Sequence, residues 1–313
     1  MSKEIEDKLA KIPVINLLVK LLKSIKLPGF EGLSIYDLVE IYVIGIVRGA
    51  LTSRASAIAF SFFTAIFPFL LFILILIPYI PIDGFEVEFS NFLESFLPPS
   101  TSEFFFNSIF ENLQGNQQAG WLSSIFLLSI FLMANGVSAV FSGFENSYHE
   151  QLTRNVLNQY LYAMGVALIL AFLVIITVAV LGYFEIFLIP SFFETLEDKG
   201  LAKQSHSTFW ITVAKYIFYI AMVYLATAVL YYFGTKEGKK SRFFSIGALL
   251  TTILILLTSY LFGVYIENFS KYNELYGSIG ALLILLLYLW LNSNILLLGF
   301  ELNVSLNKLK NRF

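Results

Sequence analysis

Cysteine is absent from the 313 residues of this sequence, histidine occurs twice, and only 13% of the residues are charged. The absence of cysteine excludes disulfide bonds and thiolate metal ligands. Soluble domains carry about 25% charged residues, whereas this chain is 58% hydrophobic with a mean hydropathy of +0.77. The net charge of −2 provides no excess of positive charge for a phosphate backbone, so we expect no nucleic-acid partner. This composition is typical of a membrane protein.

The sequence contains six long apolar runs with few charged residues. A helix needs about 20 apolar residues to cross a bilayer, and each run meets that length. We therefore predict an all-α integral membrane bundle of six transmembrane helices in a single domain, residues 1–313. The bundle occupies residues 55–303, preceded by cytosolic or interfacial helices at 1–54 and followed by a cytosolic tail at 304–313. The six runs are Ala55–Tyr79, Trp121–Phe144, Leu157–Phe184, Phe209–Phe233, Phe243–Ile266 and Leu275–Phe300.

Two amphipathic interfacial helices are predicted before the first span. Apolar residues recur every three or four positions from Ile5 to Lys26, with a break at Pro13, and six lysines lie within the first 26 residues. Such a helix lies on the inner membrane surface or packs on the cytosolic face of the protein itself. Ser34, followed by Asp37, resembles an N-cap and predicts a second helix at Leu33–Leu51.

The distribution of Lys and Arg predicts the orientation in the membrane. With both termini in the cytosol, 16 of the 20 basic residues are cytosolic, three are external, and Lys215 lies inside a span. Cytosolic loops of membrane proteins carry this kind of excess. We therefore expect both the N terminus and the C terminus to be cytosolic.

The second half of the last span contains four polar residues: Asn292, Asn294, Glu301 and Asn303. Asn294 and Glu301 are seven residues apart, so they share a helix face two turns apart. Polar groups in the bilayer are costly unless a neighbouring helix satisfies them. We therefore expect this face to turn into the bundle.

Pro68 lies near the middle of the first span, where it removes a backbone hydrogen bond and kinks or breaks the helix. Broken helices at the midplane are typical of transporter sites, and the alternative is a packing kink without a ligand. Ser61 and Thr64 are expected to satisfy the freed carbonyls. In the second span, Asn135 needs a partner within the bundle. Beside it, a stripe of small residues predicts close helix packing: Ala134, Ser138 and Ser142, with Gly136, Ala139 and Gly143 next to them.

Charged residues of both signs gather at the predicted cytosolic ends of the spans. Interhelical ion pairs or a polar mouth open to the cytosol explain this, and the alternative is that the side chains extend toward the headgroups. We predict that Arg54 and Glu301, at the ends of the first and sixth spans, lie within salt-bridge distance. The full set is Arg54, Glu145, Arg154, Arg242 and Glu301.

Three blocks of the sequence carry a resemblance to a known family. The blocks are Tyr276–Ala281 with Tyr288–Leu291 and Leu298–Asn303, Arg54–Phe63 with Phe67-Pro68, and Phe144–Tyr148. They resemble the YihY/virulence-factor BrkB family of bacterial inner-membrane proteins, and Arg54 and Glu301 match positions in the family's motifs. In two places the chain differs, because Phe60 replaces the usual Tyr, and Phe144-Glu145 stand where Leu-Asn is commoner. The resemblance extends over roughly residues 30 to 305 and implies a six-helix protein of the bacterial cytoplasmic membrane.

We expect no enzyme activity, cofactor or metal. His149 and His206 fall on opposite sides of the predicted membrane, and there is no glycine-rich phosphate loop. Zinc-dependent hydrolysis, implied by a ribonuclease label once attached to the family, would need ligands that the chain lacks. No catalytic residues are predicted.

The favoured function is transport of a lipid-like or other amphipathic substrate, with membrane lipids as partners. The alternative is a non-transporting membrane scaffold or envelope-assembly factor that docks through a periplasmic loop, and a channel is third. We predict a polar cavity between the first, second and sixth spans, open toward the cytosol beside Arg54 and Glu301. The candidate residues are Arg54, Ser61, Pro68, Asn135, Glu145, Asn146, Asn292, Asn294, Glu301 and Asn303.

Overall fold

Helices form along the apolar runs because, in lipid, backbone N–H and C=O groups need partners within their own segment. The computed structural model describes residues 13–26, 32, 34–37, 39–40, 51–76, 87, 119–145, 155–184, 204–235, 242–269 and 278–310. The helices are α1 (Pro13–Ser24), α2 (Leu51–Leu76), α3 (Ala119–Glu145), α4 (Val156–Tyr183), α5 (Gln204–Gly234), α6 (Ile246–Phe269) and α7 (Ser278–Lys310).

Six helices in the described part of the chain, α2 to α7, are long and apolar enough to cross a membrane. They coincide with the six predicted runs, so the prediction of an all-α bundle with six spans is confirmed. Several boundaries differ by a few residues, and at its C-terminal end α7 continues to Lys310 rather than ending at Asn303. Glu301 and Asn303 are therefore interior helix positions, with backbone partners on both sides.

Each spanning helix packs against the next in the chain, and α7 returns to pack against α2. The six helices thus form a closed ring in chain order. The ring is not hollow throughout, because α3 also contacts α5 and α7. Large side chains such as Phe72, Phe141 and Leu297 are fully buried between these helices.

Two glycines bring α2 and α3 together. A Cβ atom on Gly136 would lie 3.0 Å from the Cβ of Ala65, and one on Gly143 would lie 2.8 Å from Cδ1 of Ile58. The close contact predicted for the second span therefore exists. It is made by Gly136 and Gly143, whereas Ser142, a member of the stripe that we expected to form it, is exposed.

A second glycine pair marks the crossing of α6 and α7. A Cβ atom on Gly299 would overlap the hydroxyl of Thr251, and one on Gly247 would overlap the carbonyl oxygen of Gly299. The two backbones are therefore in direct contact, a separation that only glycine allows. This crossing holds the fifth and sixth spans at one end of the bundle.

Before the first span, the structure describes α1 and a short helical segment that begins after Ser34. The Ser34 hydroxyl accepts a hydrogen bond from the Asp37 backbone at 3.3 Å, and the Asp37 carboxylate accepts one from the Ser34 backbone at 2.7 Å. This reciprocal capping confirms the predicted N-cap. The position of α1 on the membrane surface stays a prediction, and residues 1–12 and 41–50 lie outside the described residues.

Candidate functional site

Arg54 of α2 connects three helices. Its Nη1 donates to the backbone oxygen of Gly143 in α3 at 3.1 Å, and its Nη2 donates to Oε1 of Glu301 in α7 at 3.0 Å. The side chains of Arg54 and Glu301 are only 9% and 3% exposed. The predicted salt bridge is confirmed. We call Arg54, Gly143 and Glu301 the clasp.

The clasp follows from where the three residues lie in their helices. The last four carbonyls of a helix have no intrahelical partner. Gly143 is two residues before Glu145, the last described residue of α3, and its carbonyl accepts from Arg54. A positive charge at a helix C-terminus also interacts favourably with the helix dipole. Arg54 Nε is buried without a hydrogen-bond partner among the described residues, so the guanidinium is not fully satisfied.

Burial of the clasp differs from the polar mouth that the sequence suggested. Nine-tenths or more of the side chains of both Arg54 and Glu301 are covered by protein. Glu145, at the end of α3, is also buried. Asn146, the next candidate residue, lies outside the described residues. The cavity open beside Arg54 and Glu301 stays a prediction, and in this structure both side chains are covered.

Along α2, α3 and α7, further small or polar residues lie seven positions from the clasp, on the same helix faces. Ser61 and Pro68 follow Arg54 on α2 at that spacing, and Asn294 precedes Glu301 on α7. In α3, Gly136 precedes Gly143, and a Cβ atom on it would lie 3.5 Å from the carbonyl oxygen of Ser61. We call the faces of α2, α3 and α7 that carry these residues the seam. Ser61 and Asn294 are partly buried, and the Asn294 amide donates to the backbone oxygen of Trp290 at 2.7 Å.

Pro68 is buried inside α2, which continues on both sides of it. The carbonyl that a proline leaves unpaired belongs to the residue four positions earlier, which here is Thr64. The Thr64 hydroxyl instead donates to the carbonyl oxygen of Ser61 at 3.0 Å. This bond goes to a carbonyl other than the one that Pro68 frees, so it is not the expected contact, and Pro68 does not divide the helix into two.

Asn135 lies outside the seam. Its side chain is exposed, and its Oδ1 accepts a hydrogen bond at 3.1 Å from the hydroxyl of Tyr160 in α4. That hydroxyl also lies 2.5 Å from the backbone oxygen of Phe131. Asn135 therefore has a bundle partner, as expected, but it is in α4. The expectation that Asn135 lines a cavity with the first and sixth spans is wrong, because Gly136, the next residue, occupies that face.

Asn303 caps another helix. Its Oδ1 accepts from the backbone N–H of Gly247 at 2.7 Å, and its Nδ2 donates to the hydroxyl of Ser245 at 2.8 Å. The Ser245 hydroxyl in turn accepts from the backbone of Ala248 at 3.3 Å. The first N–H groups of a helix have no intrahelical acceptor, and these contacts satisfy two of them in α6. Asn303 thereby joins α7 to the start of α6.

Asn292 and Asn294 lie on nearly opposite sides of α7, because two residues correspond to roughly 200° of helix rotation. They cannot both line the seam as we expected. Asn292 shares a face with Tyr288, whose hydroxyl lies 2.6 Å from that of Ser259 in α6. Its Nδ2 donates to the backbone oxygen of Tyr288 at 2.9 Å, whereas its Oδ1 is buried without a partner among the described residues.

The side chains of Tyr231 and Thr251 make polar contacts between helices that the sequence analysis did not predict. The Tyr231 hydroxyl donates to the backbone oxygen of Leu296 at 2.7 Å and lies 2.5 Å from the Thr251 hydroxyl, which must therefore be the donor between the two. Around them, the Phe144 ring stacks on Phe300 with centroids 4.2 Å apart. The hydroxyl groups of Tyr231 and Thr251, inside two different apolar runs, were the available signal, since such groups need partners in lipid.

Together these contacts form a layer at one end of the bundle, which we call the polar layer. It joins all the spans except α4 through buried hydrogen bonds. Its members are Arg54, Gly143, Tyr231, Ser245, Gly247, Thr251, Leu296, Glu301 and Asn303.

The opposite halves of α5, α6 and α7 are packed much less closely. None of the described side chains in residues 212–226, 253–266 and 282–292 is buried. We call these three segments the far halves. In contrast, α2 buries Phe72 and Ile73 near its far end, and α3 buries Ser129 and Ile130. The bundle is therefore closed at the polar layer and loosely packed on one side of its other end.

The chain is similar to a known protein family and to several known proteins. The sequence profile of the family described as Virulence factor BrkB matches residues 45–312. The ribonuclease-like protein YfkH of Bacillus subtilis is 26% identical over 260 residues, which cover 82% of this chain and 90% of that protein. A UPF0761 membrane protein of Psychrobacter is 23% identical over 295 residues, covering 92% of this chain and 51% of the relative.

A UPF0761 membrane protein of Xanthomonas oryzae is 34% identical over 87 residues, 28% of this chain and 20% of the relative. The chain thus spans nearly all of the Bacillus protein but only about half of the Psychrobacter protein. No solved structure matches.

Proposed function

This chain belongs to the virulence factor BrkB family and is a multi-pass membrane protein, and from this premise we propose that it transports a lipid-like or other amphipathic substrate. We place it in a bacterial cytoplasmic membrane, with both termini and the polar layer on the cytosolic side. The distribution of charge supports this orientation, because 16 of the 20 basic residues then lie in the cytosol.

The observation that carries the proposal is the contrast between the polar layer and the far halves of α5, α6 and α7. Alternating access requires one group of helices to rock against another around a fixed region. Here α2 and α3 stay packed along their length, whereas the other group is held at one end. Such a bundle is suited to opening and closing on one side without separating completely.

The seam is the proposed path for the polar part of the substrate. Ser61 and Asn294 lie one heptad from the clasp and are only partly buried, whereas Arg54 and Glu301, at the cytosolic end, are covered by protein. An amphipathic substrate would place its headgroup beside these polar groups and its apolar part against the surrounding Leu and Phe side chains. Passage to the cytosolic side then requires the clasp to open.

Reconstitution tests this proposal. The purified protein is placed in liposomes that contain fluorescently labelled phospholipid, and movement of label between leaflets is compared with protein-free liposomes. We expect movement with the wild type, most of it lost in Asn294→Leu. Asn135→Leu is the matched control, because it makes the same change on α3 outside the seam, and it is expected to keep the activity.

One result would contradict transport, and another would contradict the seam as its path. One is a wild-type protein that moves neither labelled lipid nor a labelled amphipathic solute although it restores the phenotype of a deletion strain, which favours the scaffold. The other is full activity in Asn294→Leu, which would remove the seam from the path.

We propose that the ribonuclease activity named in the Bacillus relative does not extend to this chain. The support is the scarcity of side chains that activate water or hold a metal: the sequence has no Cys and two His. The clasp also commits Glu301 to Arg54. Incubating the purified protein with RNA and divalent cations tests this, and cleavage that is lost on mutation of a carboxylate would contradict it.

A further inference from the structure

The helix α1 has an apolar edge that the rest of the described chain leaves uncovered. Leu17 is 70% exposed and Leu21 is 54% exposed, and Ile25, the first residue after the helix, is 42% exposed. Residues four apart lie above one another on a helix. Leu17 and Leu21 therefore form an apolar row, which Ile25 follows just beyond the helix end, and such a row is costly to leave in water.

The side of α1 that is held by the protein lies elsewhere on the helix. Lys23 Nζ lies 4.6 Å from the ring centroid of Tyr36, and the backbone N–H of Ile35 donates to the oxygen of Ile25 at 3.1 Å. Lys26 and Ser34 also pair in an isolated antiparallel bridge. Lys23 is roughly 120–200° around the helix from Leu17 and Leu21. The contacts with residues 34–36 thus fix the helix while its apolar row points away from them.

Lysines accompany the apolar row. Lys20 lies beside Leu17 on the helix surface, and Lys26 is the second residue after the helix; both are exposed. An apolar face with lysines along its edge is the pattern of helices that lie in the surface of a membrane, where cationic side chains meet anionic headgroups. The membrane is within reach, because the first span begins at Leu51, 27 residues after Ser24.

We infer that α1 is a membrane-surface contact, in which Leu17, Leu21 and Ile25 insert among the lipids and Lys20 and Lys26 bind the headgroups of anionic phospholipids. A second copy of the chain fits less well, because pairing two such edges brings like-charged lysines together. The inference does not depend on transport, since it concerns only how the N-terminal region is placed and which lipid holds it.

Cysteine labelling tests the inference cleanly because the chain has no cysteine of its own. The full-length protein, with Leu17→Cys or Val19→Cys carrying an environment-sensitive fluorophore, is placed one copy per nanodisc. The nanodiscs are made of phosphatidylcholine with or without phosphatidylglycerol, and some contain a lipid-borne quencher. Val19 is the matched control, because it lies roughly 160–200° from the row.

We expect the Leu17 label to be quenched strongly and the Val19 label weakly, with more quenching when phosphatidylglycerol is present. Lys20→Gln and Lys26→Gln should each weaken the anionic-lipid effect roughly fivefold. Equal quenching at the two positions would overturn the inference. A lipid effect that survives loss of both lysines would overturn the role of anionic headgroups. Protection of Leu17 only in discs with two copies would assign the row to a second copy of the chain.

Discussion

The two ends of the bundle are held by different interactions. At the polar layer, buried side chains bond to backbone groups of other helices, as Arg54 does to Gly143 and Tyr231 to Leu296. In the far halves the described side chains are apolar for the most part and partly or fully exposed, with contacts such as Ser259 to Tyr288 between helices. Because lipid replaces protein around an apolar side chain at little cost, the far halves gain little from packing. Stability should therefore be concentrated at one end.

Breaking the clasp should have the largest effect. Glu301→Gln removes one partner of a buried ion pair and leaves Arg54 stranded, which typically costs ~3–5 kcal/mol. Arg54→Gln should cost a similar amount, and the double variant little more than either. Thermal unfolding in detergent measures all three. Strictly additive losses would show that the two residues act independently.

The second-largest loss of stability is expected from adding a methyl group at the α6–α7 crossing. Gly299→Ala forces the backbone away from Thr251 and Tyr231, at a cost of about 3 kcal/mol, the upper part of the range for overpacking. Gly263→Ala is the control in the far half of α6, where a Cβ atom meets nothing within 4 Å. Equal melting temperatures for the two variants would mean that the crossing is not closely packed.

Removing the cap of α6 should have a smaller effect. Asn303→Ala leaves the N–H of Gly247 without its acceptor, and loss of such a cap costs about 1 kcal/mol. Asn292→Leu is the comparison on the same helix, because its Oδ1 has no partner among the described residues to lose. We expect Asn292→Leu to unfold at or above the wild-type temperature. A larger loss at Asn292 than at Asn303 would contradict this account of α7.

Substitutions in the far halves should lower stability least. Ser259→Ala removes one hydrogen bond to Tyr288, and such bonds between membrane helices contribute ~0.6 kcal/mol on average. In thermal unfolding in detergent, this variant should have nearly the same melting temperature as the wild type. A loss as large as that of Glu301→Gln would mean that the far end is held as firmly as the polar layer.

The sequence was sufficient to predict the spans and the Arg54–Glu301 pair. Span length follows from bilayer thickness. Two opposite charges at the same end of neighbouring helices are expected to pair, because an unpaired charge in the membrane is costly. Asn135 was placed incorrectly because its neighbour Gly136 determines which face of α3 packs against α2. A hydropathy pattern does not show which face of a helix packs through its glycines. The cap by Asn303 depends on Gly247, 56 residues away, and no local pattern joins them. Helix geometry alone would have separated Asn292 from Asn294.

The closed ring in chain order has a consequence for how the protein is made. As spans leave the ribosome in sequence, each new helix finds the surface of the preceding one already in the membrane. Arg54 is the exception, because its carboxylate partner is synthesised 247 residues later. Until α7 arrives, the nascent protein carries an unpaired charge at the end of its first span. Docking of the last helix is therefore the step that pairs this charge and distinguishes a finished molecule from a truncated one.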